Sequence, residues 1–254
     1  MSPREGAGSA RTAIVTGAAG GIGLATALRL AREGYRVWGV DVKEEPLELA
    51  AAGVSWASAD LSDPSAPARV MAECLGDEHL TSLVNAAGVA WFGRDVSALD
   101  ADEDLWSRTL AINLEGTRHM SAAALPYLRR CSGGASMVHV ASIAGLRGMD
   151  SPMDAYQISK AAVISLSRSI ALQLGPEGIR SNTVCPGAIL TPMVSPLYDE
   201  SPERRVRMEQ KTPLRRLGMP DDIASAIYWL LSDEASFVTA TDLVVDGGWV
   251  AQVV

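Results

Sequence analysis

The sequence predicts an α/β fold, a doubly wound and mostly parallel sheet of about seven strands with helices on both faces. Three observations predict it. Short β-branched or apolar runs alternate with longer helical patterns from one end to the other. No internal repeat and no interdomain linker interrupts that alternation. The 254 residues are 48% hydrophobic and 20% charged, enough to fill one large packed core.

The elements follow in order. Thr12–Thr16 reads as the first strand, and Gly21–Glu33 as a helix carrying Leu24, Leu28 and Leu30. Arg36–Asp41 and Val54–Asp60 are the next strands, Pro64–Leu75 a helix, and Ser82–Asn85 a fourth strand. A long helix over Asp104–Arg130 leads to a strand at Ala135–Ser142, and helix Met153–Leu174 to a strand at Ile179–Val184. A helix at Asp221–Leu231 and a strand at Asp242–Asp246 close the pattern. Residues 1–11 read as a flexible leader and 12–254 as a single domain. Gly187–Pro220, rich in Pro, Met and Arg, reads as irregular; the part over about 188–219 is expected to be a lid, because long irregular connections in compact domains are usually functional.

Thr16-Gly17-Ala18-Ala19-Gly20-Gly21-Ile22-Gly23 directly follows the first strand and opens the first helix. Without Cβ atoms the backbone can turn sharply and approach a pyrophosphate, whose charge the helix N-terminus favours. The same glycines could equally build a packing turn. Asp41 ends the second strand, where a carboxylate can accept hydrogen bonds from an adenosine ribose and repel a 2′-phosphate; NAD is therefore expected over NADP. A local turn or cap is the structural alternative for Asp41, and Lys43 stands close by.

Tyr156 and Lys160 are spaced i, i+4, so on a helix phenol and ammonium share one face. A nearby cation favours the phenolate, which is expected to lower the tyrosine pKa and make Tyr156 a general acid/base.

Composition excludes several classes. A net charge of −8 opposes a nucleic-acid surface. No apolar run approaches ~18 residues, so no membrane span is expected. Cys74, Cys131 and Cys185, odd in number and widely spaced, suggest neither a disulfide framework nor a metal site and fit a reducing cytoplasm. His79, His119 and His139 are equally scattered, so no metal is expected.

In their order the motifs resemble the short-chain dehydrogenase/reductase family, in its compact single-domain branch. They are Thr16-Gly17-x3-Gly21-Ile22-Gly23, Asp60-Leu61, Asn85-Ala86-Ala87-Gly88, Asn113, Ser142, Tyr156-x3-Lys160, Pro186-Gly187 and Thr191, within a match that spans about Thr12 to Val250. The resemblance implies a Rossmann-type fold and a secondary-alcohol dehydrogenase or ketone reductase. It implies that Tyr156 exchanges a proton with the substrate oxygen while Ser142 hydrogen-bonds that oxygen. Lys160 would bond the nicotinamide ribose and, with the positive nicotinamide ring, depress the tyrosine pKa, and Asn113 would hold a water that links Lys160 to solvent as a proton relay. Gly17, Gly21, Ile22, Gly23, Asp41, Asp60, Leu61, Asn85, Ala86, Gly88, Tyr156, Lys160, Pro186, Gly187, Ile189 and Thr191 would line the cofactor. Ile189 would touch the nicotinamide amide through its backbone, and Asp246-Gly247-Gly248 would form a structural turn. Ser142 stands 14 residues before Tyr156 where relatives often show 13, and the extra residue is placed in Leu146–Asp154.

Trp91, Ala144, Met149 and Met193, with Phe92, Met153, Leu190, Leu197 and Tyr198, are candidate substrate residues, and their chemistry suits a mid-sized apolar or cyclic alcohol. Arg204, Arg205, Arg207, Lys211, Arg215 and Arg216 form a basic run that reads as a solvated helix face or a site for an anionic group. Two alternatives stay open: an NADPH-dependent 3-oxoacyl-thioester reductase, against which Asp41 argues, and a non-catalytic NAD-binding regulator. The resemblance also implies a homotetramer or homodimer built on the helices over 104–130 and 153–174.

Overall fold

The structure is a computed structural model that describes residues 11–149 and 152–252. Apart from Arg11, the expected leader lies outside the described residues, as do Asp150 and Ser151 in the stretch assigned the extra residue.

Seven strands form one sheet in the order β3-β2-β1-β4-β5-β6-β7, with every neighbouring pair parallel. They are β1 (Thr12–Thr16), β2 (Arg36–Asp41), β3 (Ser55–Ser58), β4 (Ser82–Asn85), β5 (Ala135–Val140), β6 (Ile179–Pro186) and β7 (Asp242–Val245). The order reverses between β1 and β4, which opens a crevice at their carboxyl ends.

Strand alternation makes the two cores. Ala13, Val15, Val84, Val138 and Val140 face one way, onto α1 (Gly21–Arg32) and α9 (Pro220–Leu231). Ile14, Leu83 and Met137 face the other way, with residues of α3 (Ala66–Leu75) and α5 (Gly116–Leu128). A period of two thus serves both layers at once. Helix α1 buries Gly23, Thr26, Ala27 and Leu30, the i, i+3, i+4, i+7 stripe of a helix lying on a sheet. It stops at Gly34, whose φ of +82° lets the Tyr35 amide reach the Leu30 carbonyl at 3.0 Å.

Several expected boundaries move. Strand β3 is shorter than 54–60, and a five-residue helix α2 (Leu47–Ala51) precedes it. The long helix over 104–130 is divided into α4 (Glu103–Leu110), a π-helical turn at Ala111–Glu115, and α5. Strand β5 ends at Val140, leaving Ser142 to cap a 3₁₀ turn at Ile143–Gly145. Helix α6 (Asp154–Leu174) begins one residue later than expected.

The region read as irregular is the largest correction. Leu190 N–H bonds the Gly218 carbonyl at 2.8 Å, and Gly218 N–H bonds the Ala188 carbonyl at 2.9 Å, closing the excursion at its neck. Within it lie α7 (Ser195–Asp199) and α8 (Pro202–Lys211). Pro196 and Pro202 sit in their first turns, where the missing N–H costs nothing.

Candidate active site

The glycine loop and the turn after β4 meet at the crevice. Thr16 Oγ1 accepts hydrogen bonds from the Ala86 and Ala87 amides, both at 3.1 Å. A Cβ on Gly17 would come within 2.8 Å of the Ala86 carbonyl, and one on Gly23 would run into the Gly17 carbonyl. These two glycines are therefore demanded by the chain's own packing. Gly21 faces the methyl of Thr191, so the excursion's neck lies against the start of α1. Helix α1 has no side-chain cap on Gly20 and no acidic residue in its first turn. Its first amides keep a positive end that suits a pyrophosphate.

Asp41 has a local role as well as an expected ligand role. Its Oδ2 accepts from the Ala19 amide at 3.0 Å and its Oδ1 from the Lys43 amide at 3.1 Å, clamping the glycine loop to the end of β2. Asp60 is exposed and its Oδ1 accepts from the Ser62 amide and hydroxyl, at 2.9 and 2.7 Å. Leu61 points into the core, so only its backbone faces outward chemistry. Asn85 is also inside: its Nδ2 donates to Ser121 Oγ at 3.2 Å and to His139 Nδ1 at 3.0 Å. His139 Nε2 in turn lies 3.1 Å from Ser181 Oγ. Burial pushes that imidazole down to about 4. Gly187 packs on Asp246, whose carboxylate takes the Gly248 and Val250 amides at 2.8 and 2.7 Å; the expected terminal turn is built on that side chain. Pro186 ends β6 beside Val245, and Ile189 is buried with its side chain against Gly218.

The four expected catalytic groups come together. The Ser142 hydroxyl lies beside the Tyr156 phenol, close enough to favour its charged form. Lys160 Nζ lies 5.8 Å from the Tyr156 ring centre and donates to the Val140 carbonyl at 2.8 Å. A Cβ on Gly88 would stand 3.2 Å from Asn113 Oδ1 and 3.3 Å from Lys160 Nζ, so this turn borders both. Asn113 is fully buried and its amide is fully engaged: Oδ1 accepts from the Val89 amide at 2.8 Å, and Nδ2 donates to the Val89 carbonyl and Ser159 Oγ, both at 3.0 Å. Its main-chain carbonyl accepts from Thr117 Oγ1 at 2.8 Å.

The electrostatics correct the expectation for Tyr156. Burial holds the phenol above its ordinary pKa, and the neighbouring Ser142 hydroxyl pulls in the opposite direction. Burial also pushes Lys160 down to about 8. Both shifts have one cause, because a low-dielectric site disfavours either charge. Cys185, beneath the site on β6, is pushed up to about 11 by burial and stays a thiol at neutral pH.

The candidate substrate residues divide. Ala144 is buried, Met149 and Met193 are exposed, and Trp91 is half-buried. Trp91 lines an open cleft of about 230 Å³ with Arg94, Asp102, Asp104, Leu105 and Arg108, which includes none of Ser142, Tyr156 and Lys160. Both guanidiniums lie within 6 Å of the indole centre, Arg94 at 5.8 Å and Arg108 at 5.5 Å. Within the basic run, Arg205 pairs with Glu209 at 2.9 Å and Arg216 with Asp222 at 2.6 Å.

One residue at the site was missed by the sequence reading. Asp95, in the loop after β4, accepts from the Ala155 and Tyr156 amides at 3.2 and 2.9 Å. No sequence spacing signals it, because its partners lie about 60 residues away.

Comparison with known proteins agrees with this fold. Residues 17–250 match the family model described as enoyl-(acyl carrier protein) reductase. The chain is 40% identical to 2-(S)-hydroxypropyl-CoM dehydrogenase 3 of Xanthobacter autotrophicus, over 93% of this chain and 95% of that protein. It is 37% identical to cis-4-hydroxycyclohexanecarboxylate dehydrogenase of Sinomonas cyclohexanicum, over 95% and 97% respectively. Among solved structures, the ligand-free aldohexose dehydrogenase of Thermoplasma acidophilum superposes with a TM-score of 0.86 at 30% identity, covering 96% of this chain and 95% of that one.

Proposed function

Because the chain belongs to the short-chain dehydrogenase/reductase family and is an oxidoreductase of CH–OH groups, we propose that it interconverts a secondary alcohol and a ketone with NAD, Tyr156 acting as general acid/base. The observation that carries this reading is the meeting of the Tyr156 phenol with the Ser142 hydroxyl, with Lys160 and Asn113 beside the turn at Gly88.

A nicotinamide dinucleotide, the cofactor class of the family, supplies hydride acceptance and donation when bound. The residues present fit it: the uncapped start of α1 suits the pyrophosphate, and Asp41 suits an unphosphorylated ribose. Lys160 is one helical turn from the phenol and can bond the nicotinamide ribose. In oxidation the Tyr156 phenolate takes the hydroxyl proton while Ser142 donates to the substrate oxygen; in reduction the proton returns from the phenol to that oxygen. A charged Lys160 favours the phenolate, offsetting the burial that opposes it. Asn113 would hold the water that resupplies Lys160.

For the substrate, Ala144, Met149 and Met193 support a mid-sized apolar or cyclic alcohol, and a relative that acts on a hydroxycyclohexanecarboxylate supports the cyclic class. The setting is read as the cytoplasm and the assembly as a homotetramer or homodimer. No described helix is long and apolar enough to cross a membrane. The domain reading remains a single unit over 12–254.

The test follows nicotinamide absorbance with NAD and NADP against cyclic, aryl and polyol secondary alcohols and hydroxyacyl thioesters. Turnover with NAD on a cyclic alcohol, reduced at least ~100-fold in Tyr156→Phe, is the expected outcome. A preference for NADPH and a thioester overturns both the cofactor and the substrate assignments.

A further inference from the structure

We propose that Asp95 is a positioning residue for Tyr156, holding the first turn of α6 so that the phenol keeps its place against Ser142. The inference rests on the assignment of Tyr156 as the proton-transfer group.

The first amides of a helix have no partners inside it. At α6 the N-cap is Met153, whose side chain caps nothing. Asp95 takes that role from across the fold, accepting from the Ala155 and Tyr156 amides at 3.2 and 2.9 Å. Its residue is only 4% exposed, and a buried carboxylate is tolerated when backbone donors and a helix N-terminus compensate it. The attachment runs both ways. Asp154 Oδ2 accepts from the Ala98 amide at 2.9 Å, and the Asp154 amide donates to the Val96 carbonyl at 3.3 Å.

The same loop is fixed at its other end to the catalytic groups. Val89 is bonded twice to the Asn113 amide, and Gly88 borders Lys160. Asp95 thereby ties the backbone of Tyr156 to the segment that locates Asn113 and Lys160.

Helix α6 does not depend on this cap for its existence. It is 21 residues long, and Val163, Ile164, Ser167, Ala171 and Leu174 anchor its later turns in the interior. Loss of a cap frays the first turn alone, and Tyr156 is the third residue of that turn. Removing Asp95 should therefore loosen the phenol while leaving the fold and the nucleotide cradle in place.

The experiment measures kcat, KM for NAD, and thermal midpoint for Asp95→Ala and Asp95→Asn, each with and without Tyr156→Phe. Asp95→Ala is expected to lower kcat about tenfold or more with KM for NAD within about twofold, since small misplacements of a reacting group cost rate before they cost binding. Asp95→Asn, which keeps one acceptor oxygen, should recover most of that loss, to within about threefold of the unmodified protein. In the Tyr156→Phe background Asp95→Ala should have no further effect, because both act through one group. The proposal is overturned by unchanged kcat in folded Asp95→Ala, by a parallel loss of NAD binding, or by an equal fold-loss in the Tyr156→Phe background. If Asp95→Ala does not fold, Asp95→Ser decides, because its single hydroxyl on a shorter stem cannot span both amides: a kcat loss with unchanged KM for NAD supports the role, and unchanged kcat removes it. Full turnover in Tyr156→Phe alone would instead sink the assignment of Tyr156, and this inference with it.

Discussion

At Gly88 a single methyl group would press on both Asn113 Oδ1 and Lys160 Nζ, at 3.2 and 3.3 Å. Gly88→Ala should therefore lower turnover at least ~10-fold while costing about 1 kcal/mol of stability or less, which kcat and a urea midpoint together would check. The phenol gives a second residue-scale expectation. Its pKa is raised by burial, so below that pKa it is protonated, ready to donate and unable to accept. Alcohol oxidation should rise with pH into the alkaline range, and ketone reduction should fall through the same limb. A flat oxidation profile from about pH 6 to about pH 10 would count against Tyr156 as the base. At this scale the sequence was legible where chemistry is local. The Tyr156/Lys160 spacing put both on one helical face, and Ser142 and Asn113 joined them as the resemblance implied. The phenol's shift was not legible, since neighbouring charge can be read from a sequence and desolvation cannot. Asp95 was invisible because its partners are made by tertiary approach, about 60 residues downstream.

Among the elements, β4, β5 and β6 share a buried polar thread that has its own pH signature. Asn85, His139 and Ser181 are linked across three strands, and Ser167 of α6 lies 2.9 Å from Ser181 Oγ. His139 stays neutral in the fold until about pH 4, whereas an unfolded histidine takes a proton near ~6.5. Between those values the unfolded state binds more protons, so stability should fall as pH falls, by about 3 kcal/mol over the full window. Urea midpoints at pH 7 and pH 5 would measure this, and His139→Asn, which has no such titration, should flatten the difference. The main elements were legible because their periods of two and 3.6 are carried by buried side chains. Helix α2 was missed because five residues cannot display a period. Helices α7 and α8 were missed for a different reason: proline was taken as a sign of irregular chain, although at a helix's first turn it is a start signal. The π-helical turn at Asn113 left no trace in the pattern because the apolar spacing on either side is that of an ordinary helix.

For the whole molecule, the outer strand and one long helix bear on assembly. Strand β7 is only partly buried at each of its four positions, Leu172 on α6 is 77% exposed, and Phe237 is fully exposed. Apolar surface of this kind fits a chain whose edge and helices meet other copies. Light scattering at micromolar concentration should give a dimer or tetramer mass, and a monomer there would remove the prediction. In such an assembly the charge of −8 per chain would accumulate, favouring solubility and disfavouring anionic partners.

The clamp at Asp41 has a consequence for how such a protein can diverge. One carboxylate secures the glycine loop through Ala19 and, on the reading proposed above, would also meet the ribose where a phosphate would need to sit. A lineage moving toward the phosphorylated nucleotide could not simply discard it, since the loop would lose its anchor before any new affinity arose. Asparagine offers the passable intermediate, because it sheds the charge and keeps an acceptor for the Ala19 amide. Asp41→Asn should accordingly accept both nucleotides at similar KM, while Asp41→Ala should bind each of them worse; initial rates with NAD and NADP would separate the two routes.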